Sequence, residues 1–348
     1  MGWIGHVDLD AFFARCEELK DPELEDKPVV ICVYTRGGSS GAVSTCNYEA
    51  RELGIDSAMP LNEARARATG DTVFLSVDHE HYNKMSDRVL SALRNRSPEV
   101  QKYSIDEAFF RIEEEPVKTA KKVKADIEAL GLSASIGIGP NKFVAKMASE
   151  EEKPDGLTFV ETGEAEEFLW DKPVEDIHGV GGSTAEKLRE MGVKRCRDIL
   201  KVNSARLAGE IGKGRAASLK AKARGKGSRD LESDARQQMS KIVTMDRNSS
   251  DFDYVSKDLS RACQRLVDRL EAEGAAFSKV GVVTVDSELE RYNRSRSVKT
   301  SRPGPRLFNE AERLLEEMMS QGELEVRRVG VRVSGLVDTD RQKTLAAF

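Results

Sequence analysis

Residues 100–112 read VQKYSIDEAFFRI, two stretches rich in apolar residues that meet near Ser104–Glu107. β-Branched and aromatic residues on both sides of a polar break predict two strands joined there, with Asp106 and Glu107 at the junction. Outward from this stretch the period changes. Upstream, from His81 to Leu93, apolar positions recur every three to four residues, as on an amphipathic helix. Downstream, Val117–Leu130 repeats that spacing and stops at Gly131, a residue suited to a helix end. Ile4–Val7 and Ser133–Ile138 read as further strands. The order β, α, β, β, α, β is the split βαβ pattern of a ferredoxin-like sheet, with residues 12–77 inserted after its first strand.

The insertion holds a strand at Val29–Val33 and helical spacing from Glu49 to Ala68. A helix at Asn141–Ser149 ends before the turn-forming Lys153-Pro154-Asp155-Gly156. A basic helical segment follows, then a polar stretch, Arg236–Ser240, suited to a linker. Beyond it the first pattern recurs: strand Ile242–Met245, helix Lys257–Glu273, strands Lys279–Asp286 and Arg291–Val298, helix Leu307–Met319, strand Glu325–Ser334. The chain is therefore expected to be α+β and multidomain, since 348 residues exceed what one core usually supports.

A net charge of −5 argues against a nucleic-acid partner until it is resolved by segment. Residues 1–176 are strongly acidic, 177–236 strongly basic, and the remainder balanced. The middle of the chain can grip a polyanion while the first part gathers carboxylates. Five cysteines without a C-x-x-C pair argue against a disulfide framework and a zinc site. His79 and His81, with no cysteine beside them, do not change that, and Trp3 and Trp170 read as packing residues. No apolar run approaches the roughly 18 residues that span a bilayer, and MGWIGHVDLD lacks the form of a signal peptide, so a cytoplasmic protein is expected.

Asp8 and Asp10 lie two apart on a strand, which puts both on one face. Asp106 and Glu107 would point to opposite faces of a regular strand, so their convergence requires a tight turn or bulge. Oxygen donors of this kind suit hard divalent cations, and two ions about 3.5–4 Å apart can serve an attacking and a leaving oxygen. Acids at strand ends that merely face water are the plain alternative.

Four blocks settle that choice: V-D-L-D-A-F-F-A at 7–14, T-C-N-Y-E-A-R at 45–51, Y-S-I-D-E-A-F at 103–109 and S-I-G-I-G-P-N-K-F-V-A-K at 135–146. In order and spacing they resemble the signature blocks of Y-family DNA polymerases of the DinB type, archaeal-like, and the resemblance covers nearly the whole chain. It implies a right-hand polymerase: a ferredoxin-like palm (1–11 and 78–165), small fingers (12–77), a helical thumb (166–235), a linker (236–240), an αβ little finger (241–340) and a tail (341–348). It implies low-fidelity, distributive translesion synthesis on primer-template DNA with dNTPs, by a monomeric enzyme.

The same resemblance assigns two Mg²⁺ ions, with Mn²⁺ as an alternative, to Asp8, Asp106, Glu107 and the carbonyl of Leu9, and leaves Asp10 a structural role. Thr45, Tyr48, Arg51 and Lys153 match positions around the incoming dNTP. Phe13 matches the steric gate that excludes a ribose 2′-hydroxyl, with Phe12 beside it as a dNTP-site or core residue. Gly41 and Ala42 are small residues over the nascent base pair, a turn glycine being the other reading. Lys142 and Lys146 suit either primer phosphates or a solvated surface.

Ile177–Leu188 carries an apolar approach, a Gly-x-Gly hairpin and a helix, the form of a helix-hairpin-helix, expected near 177–192. Gly179, Gly181 and Lys187 would meet DNA phosphates through helix amides and charge, without reading bases. Gly209–Arg215 is a second glycine-rich basic stretch. Finally, QKTLAAF at 342–348 resembles a sliding-clamp peptide anchored by Gln342, Leu345 and Phe348. A non-catalytic DNA-binding module, a nucleotidyl cyclase and a metal nuclease are the competing classes. The presence of all three expected acids argues against the first, and neither of the others needs Phe13, the hairpin and the tail together.

Overall fold

The computed structural model describes residues 2–34, 41–231, 237–320 and 324–338. It divides into two units, Met1–Asp234 and Ala235–Phe348. In the first, β1 (Trp3–Leu9) leads into α1 (Phe12–Lys20), a helix absent from the sequence expectation. The turn between them holds Ala11 at φ 43°, an uncommon conformation for a residue with a side chain.

The insertion continues through β2 (Val29–Tyr34), β3 (Gly41–Cys46), α2 (Tyr48–Glu52), α3 (Leu61–Arg67) and β4 (Val73–Ser76). The helix expected over 49–68 is thus two short ones. Gly54 and Ala58, at φ 76° and 67°, turn the chain between them, and Pro60 caps the second. β3 and β4 flank β2 in a three-stranded sheet with its own small core, and neither had been expected. Gly41 pairs with Tyr34 at the start of a strand, not in a turn of its own.

Next come α4 (His79–Arg94), β5 (Val100–Lys102), β6 (Glu107–Ile112), α5 (Pro116–Glu128), β7 (Ala134–Gly139), α6 (Lys142–Ser149) and β8 (Leu157–Phe159). Asp78 caps α4 through the His81 amide at 3.0 Å, and the helix buries Tyr82, Met85, Val89 and Leu93. The sheet order β5-β6-β1-β7-β8 puts the first strand at the centre, as a split βαβ sheet requires, with β8 as an added edge. α6 lies tight on β7, because Gly137 leaves no Cβ between the strand and the backbone of Ala145 and Ser149.

Five helices complete this unit: α7 (Ala165–Trp170), α8 (Gly182–Glu190), α9 (Cys196–Lys201), α10 (Ser204–Ile211) and α11 (Lys213–Ala223). Asn141 ties them to α6, its Oδ1 capping Val144 at 3.1 Å and its Nδ2 donating to Gly225 O at 2.7 Å. Gly179 (φ 95°) precedes α8, and Gly212 (φ 87°) makes a second tight hairpin between α10 and α11, within the glycine-rich stretch.

The second unit runs β9 (Gln238–Ser249), α12 (Phe252–Ala272), β10 (Ala275–Asp286), β11 (Arg291–Ser301), α13 (Pro305–Met319), β12 (Val326–Ser334) and β13 (Val337–Asp338). β9 begins inside the stretch read as a linker: Gln238, Met239 and Ser240 pair with Ser334, Val333 and Arg332 of β12, and Met239 is buried. Element order repeats that of the first sheet, but strand order does not. Here the sequence β11-β10-β12-β9 leaves the first strand at an edge. No described helix is long and apolar enough to cross a membrane. All five cysteines are free and buried.

Gly137→Ala tests the seating of α6. Its methyl group would strike helix backbone, which cannot rotate away, so we expect a loss of about 3 kcal/mol in urea unfolding of the first unit's sheet.

Candidate active site

Register places the acids. Asp8 on β1 lies opposite Glu107, the first residue of β6, and Leu9 N donates to Asp106 O at 3.0 Å. The required turn is present: Tyr103 N and Ser104 N both donate to Glu107 O, at 3.0 and 3.1 Å. Asp106 therefore sits in the turn, where its carboxylate accepts from the Ser104 hydroxyl, and it is freed from strand alternation.

Two ammonium groups occupy this end of the sheet. Lys153 Nζ lies 2.8 Å from Asp8 Oδ2, and Lys146 Nζ pairs with Glu107 Oε1. Burial lifts the Asp8 carboxyl to about 7 against the pull of Lys153, with Glu107 adding to the rise. Burial also opposes the charge on Lys153, yet Asp8 and Glu150 outweigh it and raise its pKa. The two shifts favour different charge states, and the 2.8 Å contact is that of an ionised pair. Glu150, unmarked in the sequence reading, completes a group with Asp8 and Glu107 whose oxygens lie within 4.8 Å of one another. It stands just past α6, and nothing in its local sequence separates it from Glu151 and Glu152. Asp10 is engaged elsewhere, accepting from Ser133 Oγ, Ser135 Oγ and Asp155 N at 3.1, 2.8 and 2.9 Å.

A cleft of about 310 Å³ opens beside Asp8 and Asp106, and Leu9, Phe12, Phe13, Thr45, Tyr48, Arg51 and Lys153 all line it. Six residues expected around a dNTP are thereby brought together from β3, α1, α2 and the loop after α6. The Ala11 turn is what swings Phe13 to the wall. Phe13 stays half-buried and stacks on Tyr82 at 4.2 Å, while Phe12 goes into the core, 3% exposed as a residue. Arg51 lies over the Tyr48 ring at 4.9 Å, and burial raises the Tyr48 phenol. His79 meets Phe13 edge-on and His81 Nε2 lies 3.3 Å from Cys16 O, with no metal grouping around either among the described residues.

A second cleft of about 450 Å³ had not been anticipated. Tyr103, Phe109 and Phe143 line it together with Lys142, Lys146, Lys222 and Lys226. Lys142 and Lys146 thus share a cationic, aromatic wall facing α11. Across it, Tyr103 Oη and His178 Nε2 are 3.0 Å apart, linking the acid-bearing turn to the Gly179 hairpin. Gly181 caps α8 in an extended conformation, and Lys187 donates to Glu210 O at 3.1 Å. Gln342, Leu345 and Phe348 lie outside the described residues.

Comparison with known proteins bears on the same segments. Residues 7–150 match the impB/mucB/samB family, 236–345 its C-terminal domain, and 162–193 the HHH motif of that family. DNA polymerase IV 1 of Methanosarcina mazei is 36% identical over 356 residues, covering 98% of this chain and 97% of the relative. A Y-family DNA polymerase chimera superposes with a TM-score of 0.86 at 28% identity, covering 96% of this chain and 99% of the other. An insertion ternary complex of Dbh DNA polymerase gives 0.71 at 28% identity, with the same coverage. Carboxylates, hairpin and C-terminal sheet fall within three matched segments in one order, and so the chain belongs to the Y family of DNA polymerases, of the DinB type.

Proposed function

We propose that this template-directed DNA polymerase holds two Mg²⁺ ions at Asp8, Asp106, Glu107 and the Leu9 carbonyl and extends primers distributively, with low fidelity, past damaged template bases. The observation that carries this reading is the pair of ammonium groups seated on Asp8 and Glu107, at facing positions of adjacent strands. Such a corner holds negative charge only with cations present. Its donors are all oxygen, the set that suits Mg²⁺ and admits Mn²⁺. The bound ions would supply Lewis acidity at the reacting oxygens.

The chain's own residues bind and orient. Arg51, Tyr48 and Lys153 grip the triphosphate, Thr45 lies beside them, and Phe13 lies under the sugar. The primer 3′-oxygen bonds to the α-phosphorus, the bond to the β-phosphate oxygen breaks, and pyrophosphate leaves. Residues 1–11 and 78–165 act as palm, 12–77 as fingers, 166–235 as thumb, and 241–340 as little finger. The Gly179–Gly181 hairpin and Lys187 hold duplex phosphates, and Lys142 and Lys146 face the primer strand. Primer-template DNA and dNTPs as substrates favour the cytoplasm as the place of work, and the 342–348 tail meets a sliding clamp.

Asp106→Ala and Glu107→Ala should each reduce primer extension to a trace while duplex binding is largely kept. Substantial extension by both variants would overturn the ligand assignment. Phe13→Ala should raise ribonucleotide incorporation, relative to deoxynucleotide, by orders of magnitude in single-nucleotide assays. The same gain from Phe12→Ala alone would move the gate to that residue. Deleting 342–348 should leave unassisted insertion unchanged and remove most stimulation by the cognate clamp on a long primed template, for a tail affinity of roughly micromolar, about −8 kcal/mol. Equal stimulation of both proteins would show the tail match to be accidental.

A further inference from the structure

The geometry points to Glu150 as a positioning residue: the carboxylate that takes over the ammonium groups of Lys146 and Lys153 when divalent cations take Asp8 and Glu107. This rests on the reading of Asp8 and Glu107 as metal ligands. Each lysine bridges two carboxylates. Lys153 Nζ lies 2.8 Å from Asp8 Oδ2 and 3.0 Å from Glu150 Oε2. Lys146 Nζ pairs with Glu107 Oε1 and lies 3.8 Å from Glu150 Oε1. Both oxygens of Glu150 thus already face an ammonium group, and Glu150 is the carboxylate common to the two bridges.

Burial decides which end of each bridge needs its cation. The side chains of Asp8 and Glu107 are 11% and 15% exposed, against 46% for Glu150. A buried carboxylate stripped of its counter-ion is costly, so an ammonium group leaves Asp8 or Glu107 only as another cation arrives. The departing ammonium needs an acceptor within reach. Glu150 lies four residues after Lys146 and three before Lys153, and it already touches both.

On its interior side Glu107 meets His6 beyond hydrogen-bond distance. Ser149 Oγ donates to Lys146 O at 2.8 Å, which uses its only hydrogen. His6 Nδ1 lies 2.8 Å from that same Oγ. Its Nε2 is fully buried, has no hydrogen-bond partner among the described residues, and stands 3.9 Å from Glu107 Oε1. The hydrogen-bonding partner of Glu107 Oε1 is therefore Lys146.

Mn²⁺ titrated into the full chain without DNA or dNTP, with free ion followed by electron paramagnetic resonance, tests the exchange. Glu150→Gln should bind Mn²⁺ about tenfold more weakly than wild type, because the displaced lysines then have no acceptor. Lys146→Met/Lys153→Met, lacking the competing ammonium groups, should bind Mn²⁺ more tightly than wild type. Adding Glu150→Gln to that background should change affinity by no more than about twofold. Lys146→Met alone carries the same expectation for its own bridge should the double variant fail to fold. Wild-type affinity in Glu150→Gln would overturn the inference. An equal loss in the presence and absence of the lysines would also overturn it, since Glu150 would then act on the ion directly. Undiminished binding by Asp8→Asn would instead overturn the metal-ligand reading.

Discussion

Like charges facing each other across one strand pair are the constraint around which the first unit is arranged. Asp8 and Glu107 are opposite residues of β1 and β6. Two unit charges about 4 Å apart interact by about 4 kcal/mol at an effective dielectric near 20, so cations must be supplied there. α6 and the loop after it deliver Lys146 and Lys153. The close seating of α6 on β7 at Gly137 sets how near those side chains come.

The same helix joins the acidic corner to the helices that follow it. Its cap, Asn141, reaches the backbone at Gly225, and Lys142 and Lys146 turn toward the cleft shared with α11. The Tyr103–His178 contact makes a second link, from the turn that holds Asp106 to the hairpin before α8.

The inserted segment contributes the other wall. α2 and β3 bring Tyr48, Arg51 and Thr45 to the cleft, and the three-stranded sheet beneath them is small, with a separate core. In the second unit an identical element order gives a different sheet, because β9 pairs with β12 at an edge rather than running between two strands.

The sequence by itself determined the element order, the family and nearly every residue of the cleft, because these are written in local patterns and in contiguous blocks. The central helices α4, α5 and α6 were legible from periodicity, as were most strands of both sheets. The edge strands β3, β4 and β8 were not, since three to six residues of mixed polarity carry little signal. The extent of β9 was also hidden, for Gln238–Ser240 hold a single apolar residue, Met239, and become a strand by pairing with β12. Tertiary structure decided how deeply each ring of the pair is buried, Phe12 in the core and Phe13 only half-buried, on the helix that follows the left-handed turn at Ala11. It supplied the partners of Asp10, two serines and a backbone amide, which the sequence did not show. It alone singled out Glu150 among three consecutive glutamates, because proximity to Lys146 and Lys153 depends on how the end of α6 meets the sheet, and no local pattern encodes that distance.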